Sequence, residues 1–333
     1  MAISSSQAHS PQGDSPVIQW LLDGDPAIRW QVLRDLTDAP AAEVATERAR
    51  VSAEGAGAQL LALQGDDGAW AGTAWNHGWD STMHALTLLR EFGLDPTSAA
   101  GQQVVTLVSE HVHWMGWDWD GTWRGQDFVG NPFFAGEVEP CINGQVAASG
   151  AYFGQDVERI VDRLLGEQLA DGGWNCEAEN GSTRSSFNTT ICVLEALIEY
   201  ELAGASRDTA RMDAVTAARL RGQEYLLERR LFRRLTTGEV IDSTWLQFSF
   251  PNWWHYDVLR GLDYLWRAAA PHDERAAEAI ALLESKRGPD GRWLLDNQYP
   301  GRMPVALHER VGEPSRWNTL RALRVLKWWN GDH

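Results

Sequence analysis

The sequence contains few cysteines for its length, which limits how far covalent cross-links could stabilise the fold. Only Cys141, Cys176 and Cys192 occur among 333 residues. Three cysteines are too few, and odd in number, for the disulfide framework on which small secreted domains depend. We therefore expect three thiols and a fold held by an apolar core, for which a hydrophobic content of 44% is ample.

Basic residues are scarce relative to acidic ones. There are 29 Lys and Arg against 46 Asp and Glu, which gives a formal net charge of -17. Nucleic-acid binding depends on basic side chains that neutralise phosphates, and attraction to anionic lipid surfaces depends on them as well. The composition therefore argues against nucleic acid as a partner and disfavours an anionic membrane surface.

Long apolar runs are missing too. No stretch reaches the roughly 18 apolar residues that a membrane-spanning helix requires, so no integral membrane segment is expected. The first 15 residues, rich in Ser, Gln and Pro, lack the basic and apolar regions of a signal peptide. We expect residues 1–15 to be a disordered lead-in and the protein to be cytoplasmic.

An Asp-Gly-x-Trp turn occurs four times along the chain, and its spacing is the main clue to the fold. The copies are Asp67–Trp70, Asp120–Trp123, Asp171–Trp174 and Asp290–Trp293. Roughly 50 residues separate the first three, and about twice that precedes the fourth, a period typical of a two-helix unit. Glycine favours the left-handed conformation that ends a helix. Each turn is thus predicted to close one helix and lead into the next.

Two kinds of helical segment alternate along the sequence. Strongly apolar segments begin near Pro26, Asp80, Pro140, Ser185, Pro251 and Pro314. More polar segments with one apolar face lie between them. This alternation predicts an inner ring of helices wrapped by an outer ring, which is an all-α (α/α)6 barrel, or toroid. No linker divides the chain, so residues 16–333 are predicted to form one domain with the inner-helix N-termini at one mouth.

Two of the turns carry a longer pattern. Gln64-x-x-x-Gly68-x-Trp70 and Gln168-x-x-x-Gly172-x-Trp174 match the Gln-x-x-x-Gly-x-Trp core of the repeat in triterpene cyclases such as squalene cyclase. The chain therefore resembles the α/α toroid superfamily of terpenoid cyclases and protein prenyltransferases. The resemblance implies a helical toroid; it says less about function, because one fold hosts many chemistries.

The cyclase resemblance also indicates a candidate acid. Cyclases of this kind carry an Asp-x-Asp-Asp motif at the start of an inner helix, and its middle Asp protonates an alkene. Asp80 occupies that position here, whereas Gly78 and Ser81 replace the flanking carboxylates. Because Trp75, His77 and Trp79 surround Asp80 in sequence, we expect its pKa to be raised toward that of a general acid. Glu139, His255 and Tyr256 are predicted to act as supporting acid and base groups.

A zinc site is the second hypothesis. Prenyltransferases bind zinc through an Asp-x-Cys pair and a later His, and the corresponding stretch here, residues 182–187, lacks these ligands. Cys141 and His255 are nevertheless predicted to open inner helices, and Cys176 follows the third turn. Two thiolates and one imidazole with an open fourth position would suit catalytic zinc, so zinc is a possible cofactor.

The 18 tryptophans predict an aromatic central cavity. Such walls stabilise carbocations or stack on sugar rings. The residues predicted to line the cavity or bind substrate are Trp30, Trp79, Trp117, Asn188, Trp254, Arg316 and Trp317. The predicted function is an enzyme of terpenoid-cyclase or prenyltransferase type, acting on a small apolar or isoprenoid-like molecule.

Other interpretations stay open. A carbohydrate-active toroid would need two carboxylates across the cavity, for which Asp80 and Glu139 are the candidates. A non-catalytic protein that binds a small molecule would retain only the scaffold. Polar residues at predicted helix starts, Asn188 among them, are also typical N-caps, which is a purely structural role.

Overall fold

The computed structural model describes residues 15–115, 128–206 and 208–331, and over these ranges the chain is helical without strands. This confirms the all-α prediction. Apart from Ser15, the predicted lead-in at residues 1–15 lies outside these ranges. The helices are α1 (Pro16–Leu22), α2 (Pro26–Leu36), α3 (Ala41–Ala49), α4 (Gly55–Leu61), α5 (Thr82–Phe92), α6 (Ala99–His111), α7 (Pro140–Tyr152), α8 (Glu158–Gly166), α9 (Phe187–Leu202), α10 (Thr209–Glu228), α11 (Val258–Arg267), α12 (Ala277–Ser285) and α13 (Arg316–Trp329).

Proline and capping residues set the helix starts. α2 and α7 begin at Pro26 and Pro140, as predicted, because proline at the first position has the required φ and needs no hydrogen-bond acceptor. The start predicted at Pro251 is wrong. α11 begins at Val258, where the buried carboxylate of Asp257 accepts a hydrogen bond from the backbone N–H of Arg260 at 2.8 Å.

Three Asp-Gly-x-Trp turns have the same internal structure. Trp70, Trp174 and Trp293 are buried, and each indole N–H donates to a carbonyl ten residues earlier, in α4, α8 and α12 respectively, at 2.7–2.8 Å. Their backbone N–H groups donate to threonine hydroxyls in the next helix, those of Thr82, Thr190 and Thr319. Each turn therefore joins the end of one helix to the start of the next. The fourth copy, Asp120–Trp123, falls outside the described ranges.

Six helices contact one another in a closed order. α2 contacts α5, followed by α7, α9, α11 and α13, and α13 contacts α2. We call these six helices the cyclic set. They carry much of the core: all of α5 except Glu91 is buried, whereas α3 has no buried residue. In the part of the chain that the structure describes, no helix is long and apolar enough to cross a bilayer.

Candidate functional site

Two cysteines and a glutamate meet at the N-terminus of α7. The thiol of Cys176 donates to the sulfur of Cys141 at 2.9 Å, and the thiol of Cys141 lies 3.8 Å from Oε2 of Glu139. One ligand atom from each of these three residues lies within 4.8 Å of the other two. All three residues are half-buried.

Local structure explains why these side chains meet. Pro140 starts α7, so that Glu139 is the N-cap residue and Cys141 lies in the first turn. Cys176 follows the turn at Asp171–Trp174 and begins a short 3-10 helix, residues 176–178. The close packing of α7 against α9, whose Thr189 hydroxyl lies 3.4 Å from the Cys176 sulfur, brings the two cysteines together.

Glu137 adds a protonated group beside this cluster. Its side chain is buried and accepts a hydrogen bond from the backbone N–H of Glu139 at 2.5 Å. Burial raises the pKa of Glu137 to about 8, and the charge of Glu139 adds to the effect, whereas backbone hydrogen bonds oppose it. Glu137 therefore holds a proton at neutral pH. Nothing in its sequence context indicated this burial.

The donor set fits a zinc ion better than it fits isolated thiols. The hydrogen bond from Cys176 and burial raise the pKa of the Cys141 thiol well above its usual range, so this thiol keeps its proton unless a cation is present. Zn–S bonds of about 2.3 Å in tetrahedral geometry separate two sulfurs by about 3.7 Å. The observed 2.9 Å requires only a small outward movement of the two side chains.

His255 does not join this group, in contrast to the zinc site predicted from the sequence. The group of potential ligands contains Glu139 in its place. The imidazole is stacked between the rings of Trp254 and Tyr299, with centroids 3.7 and 3.5 Å away. His255 lies in the segment before α11 rather than at its start, because Asp257 caps that helix. Burial lowers the pKa of His255 to about 4, so its ring is neutral at pH 7.

Asp80 has polar partners. Its carboxylate accepts a hydrogen bond from the side-chain amide of Asn76 at 2.9 Å and lies 3.7 Å from the guanidinium of Arg302. The neighbouring Trp79 ring is directed toward Trp253, on which it stacks at a centroid distance of 5.3 Å. The aromatic setting expected around Asp80 is thus partly replaced by an amide and a cation.

Tyr256 and Asn188 make structural contacts. The buried hydroxyl of Tyr256 donates to the carbonyl of Leu231 at 2.8 Å, and burial raises its pKa well above the usual range. Asn188 accepts a hydrogen bond from the backbone N–H of Tyr256. These contacts do not favour an acid or base role for Tyr256, and they give Asn188 a role in holding the segment before α11.

The predicted aromatic residues pack against other parts of the protein. A cavity between α5, α9, α11 and α13 is lined by seven charged and eight uncharged residues, and its aromatic residues are Phe250, Trp253 and Tyr264 rather than Trp30, Trp79, Trp254 or Trp317. These rings are held by contacts with other residues, and two of them stack on aromatic residues of the cavity wall, Trp79 on Trp253 and Trp317 on Phe250. Trp30 donates to the carbonyl of Phe92, for example, and Trp317 stacks on Phe250 at 4.2 Å.

The remaining predicted binding residues also lie elsewhere. Arg316 packs its guanidinium over the Trp20 ring of α1 and donates to the Trp20 carbonyl, so it contributes to helix packing. The position of Trp117 is outside the described residues.

Sequence reasoning missed a buried serine–histidine pair. The Ser81 hydroxyl lies 2.8 Å from Nδ1 of His84, and both side chains are fully buried. Nε2 of His84 has no hydrogen-bond partner among the described residues. Burial lowers the pKa of His84 to about 3, so the ring is neutral. The spacing of three residues at the start of a predicted helix was the available signal, because such residues lie on one face.

The comparisons with known proteins give no family. No protein-family model matches the chain, and no curated protein matches it. The resemblance to toroidal cyclases and prenyltransferases therefore stays a prediction from the repeated segments.

Proposed function

We propose that this protein is a zinc-dependent enzyme that acts on a small molecule, with Glu139, Cys141 and Cys176 as the metal ligands. The observation that carries the proposal is the convergence of one carboxylate and two sulfurs within 4.8 Å. Three protein ligands leave a fourth position open, where zinc supplies Lewis-acid chemistry. The buried carboxyl of Glu137, which accepts a hydrogen bond from the backbone N–H of Glu139, lies next to a ligand and is a candidate to exchange a proton with a bound molecule.

We further propose that the cyclic set is the inner ring of an (α/α)6 toroid, with the six inner N-termini at one mouth. The closed order of contacts from α2 round to α13 supports this arrangement. The three equivalent turns support it too, since each leads from a more exposed helix into a member of the cyclic set. In such a toroid, Glu139 and Cys141 stand at the mouth, where a small molecule would enter. The cytoplasmic location predicted from the sequence belongs to the same proposal.

Metal analysis tests the zinc site. The protein purified without chelator, or loaded with zinc and desalted, should contain about one equivalent of zinc, since three protein ligands of this type bind it tightly. Cys141→Ser and Cys176→Ser should lose the metal. Cys192→Ser is the matched control, because Cys192 is buried in α9 and is not one of the three residues whose ligand atoms converge, so this variant should keep its zinc.

Either of two results would reject the proposed zinc site. Wild-type protein with less than about one-tenth of an equivalent after zinc loading has no such centre. Equal zinc content in the Cys141→Ser and Cys192→Ser variants would also reject these ligands. Circular dichroism of each variant separates loss of metal from loss of fold.

In a second proposal, Asp80 is the acid of an enzyme for isoprenoid-like substrates, and Glu139 and His255 assist it. The observation that favours it is the ring cluster next to Asp80, in which Trp79 stacks on Trp253. Aromatic faces of this kind stabilise developing positive charge.

Asp80→Asn tests this second proposal. The substitution keeps the shape and an acceptor for Asn76 but removes the acidic proton, so turnover of polyprenes or prenyl diphosphates should be abolished with little change in melting temperature. Asp66→Asn, at an exposed turn position, is the control. Full turnover by Asp80→Asn would remove Asp80 from the mechanism.

A further inference from the structure

A cavity with both charged and apolar lining residues lies within the cyclic set. It has a volume of about 40 Å³ and is bounded by α5, α9, α11, α13 and residues 250–253. A buried water needs roughly 10–15 Å³ by this measure, so the cavity has room for about three waters or one small oxyanion. Four arginines contribute to its lining, namely Arg90, Arg260, Arg267 and Arg321, together with three carboxylates.

Arg260 is saturated by protein groups. Its Nε and Nη2 donate to the two carboxylate oxygens of Glu195 at 2.7 Å, and Nη1 donates to the carbonyls of Trp253 and His255. The guanidinium of Arg260 is the main favourable influence on Glu195 and lowers its pKa despite burial. Arg260 therefore has no N–H group left to donate to a ligand.

Arg267 and Arg321 also have partners. Arg267 donates to Oε2 of Glu199 at 2.5 Å, and Arg321 donates to the carbonyl of Ser249 and the side-chain oxygen of Asn252. The positions of both guanidinium groups in the cavity wall are therefore determined by the fold.

Arg90 is different. Its side chain is only 3% exposed, and Nη2 donates to the carboxylate of Glu91 at 2.9 Å. Its Nε and Nη1 are buried and have no acceptor among the described residues. A buried charged donor without an acceptor is unfavourable, and native proteins rarely leave one unsatisfied.

The other carboxylates in the wall do not fill this need. Glu195 is held by Arg260, while Asp263 lies between Arg321 and Arg324, which donates to it at 2.8 and 3.1 Å. These arginines lower the pKa of Asp263 despite burial, so Asp263 is ionised and its negative charge is already paired with theirs. None of these carboxylates therefore accepts a hydrogen bond from Nε or Nη1 of Arg90.

We propose that this cavity binds one small oxyanion, such as a phosphate or carboxylate group, whose oxygens accept hydrogen bonds from Nε and Nη1 of Arg90. The two guanidinium N–H groups of Arg90 without an acceptor favour an anion over a neutral guest, because hydrogen bonds between charged groups are the stronger kind. Glu139, Cys141 and Cys176 do not line this cavity, so anion binding here can be tested separately from the zinc proposal.

Titration calorimetry with inorganic phosphate and with acetate, at fixed ionic strength, tests the site in the full-length protein. At least one of the two anions should bind saturably with a stoichiometry near one. Arg90→Gln should weaken that binding at least about tenfold, because it removes the charge and the guanidinium donors. Arg310→Gln makes the same charge change at a side chain that is 80% exposed, and it should bind like the wild type.

Binding of phosphate alone would assign a tetrahedral anion, and binding of acetate alone would assign a carboxylate. Absence of saturable binding for both anions would overturn the proposal, as would equal affinity in Arg90→Gln and wild type. A crystal structure of the wild type grown with selenate or bromoacetate gives a test that no folding defect can obscure. Anomalous scattering beside Arg90 is expected, and density for water alone would refute the site.

Discussion

At the residue scale, Glu137 is the group whose chemistry departs most from its sequence context. A glutamate four residues before a cysteine would ordinarily be read as a solvated side chain. Here burial raises its pKa from the ordinary 4.5 to about 8. The folded protein therefore holds a proton that the unfolded chain releases over this pH range.

Glu137 should make stability pH-dependent in a defined direction. Because its pKa is raised in the folded state, its contribution is fully present below about pH 4.5 and is lost as the pH rises to about 8. His84 makes stability depend on pH in the acidic range. Because burial lowers its pKa in the folded state, its contribution to stability is lost as the pH falls from 6.5 to about 3. In chelator-treated protein, Glu137→Gln should gain up to a few kcal/mol relative to wild type between pH 5 and pH 8.

Thermal unfolding of both proteins across this range measures the effect. Glu43→Gln, at an exposed position of α3, is the control and should follow the wild-type curve. Parallel curves for Glu137→Gln and wild type would show that Glu137 ionises normally.

The sequence could predict which residues lie close together where a local signal, such as a proline or a turn motif, determines the start of a helix. Cys141 and Cys176 were expected to converge because each follows a recognisable signal, a proline at a helix start and an Asp-Gly-x-Trp turn. His255 was expected to join them because Pro251 looked like the start of a helix. The actual start at Val258 depends on a buried carboxylate, that of Asp257, which no local pattern indicated.

At the element scale, the turns explain how helices of two kinds alternate. Each turn places a buried tryptophan between two helices: its indole N–H binds the end of the preceding helix, and its backbone N–H binds a threonine of the following one. Gly172, with φ of +95°, lies so close to the carbonyl of Arg221 that a side chain would clash. In the Asp-Gly-x-Trp pattern, the glycine is therefore required by the backbone conformation and the tryptophan by its contacts with the two helices.

Removing the threonine hydroxyl should weaken the turn. Thr190→Val keeps the shape but leaves the backbone N–H of Trp174 buried without an acceptor, at a cost of about 1–3 kcal/mol. A loss of that size should lower the melting temperature by a few degrees, as measured by calorimetry. The matched substitution Thr46→Val, on an exposed face of α3, should have little effect. Equal melting temperatures for the two variants would show that the turn does not depend on this hydrogen bond.

At the scale of the whole molecule, buried charges help to join the first and last helices of the cyclic set. Arg324 of α13 donates to Asp263 of α11 and to the side-chain oxygen of Gln31 in α2. Buried pairs of this kind are costly to desolvate and demand defined geometry, so they act on specificity more than on net stability. They also explain why charged residues line the cavity within the set beside Phe250, Trp253 and Tyr264, although the tryptophan content had suggested a mainly aromatic cavity.

The sequence by itself determined the helical class, the three described turns and the starts of α2 and α7, because each depends on local periodicity, proline or glycine. Tertiary structure alone decided the properties of the ionisable groups: which carboxylate joins the two cysteines, why Glu137 keeps its proton, and why two nitrogens of Arg90 lack an acceptor. Burial and long-range pairing set these properties, and both arise only when helices distant in sequence pack together.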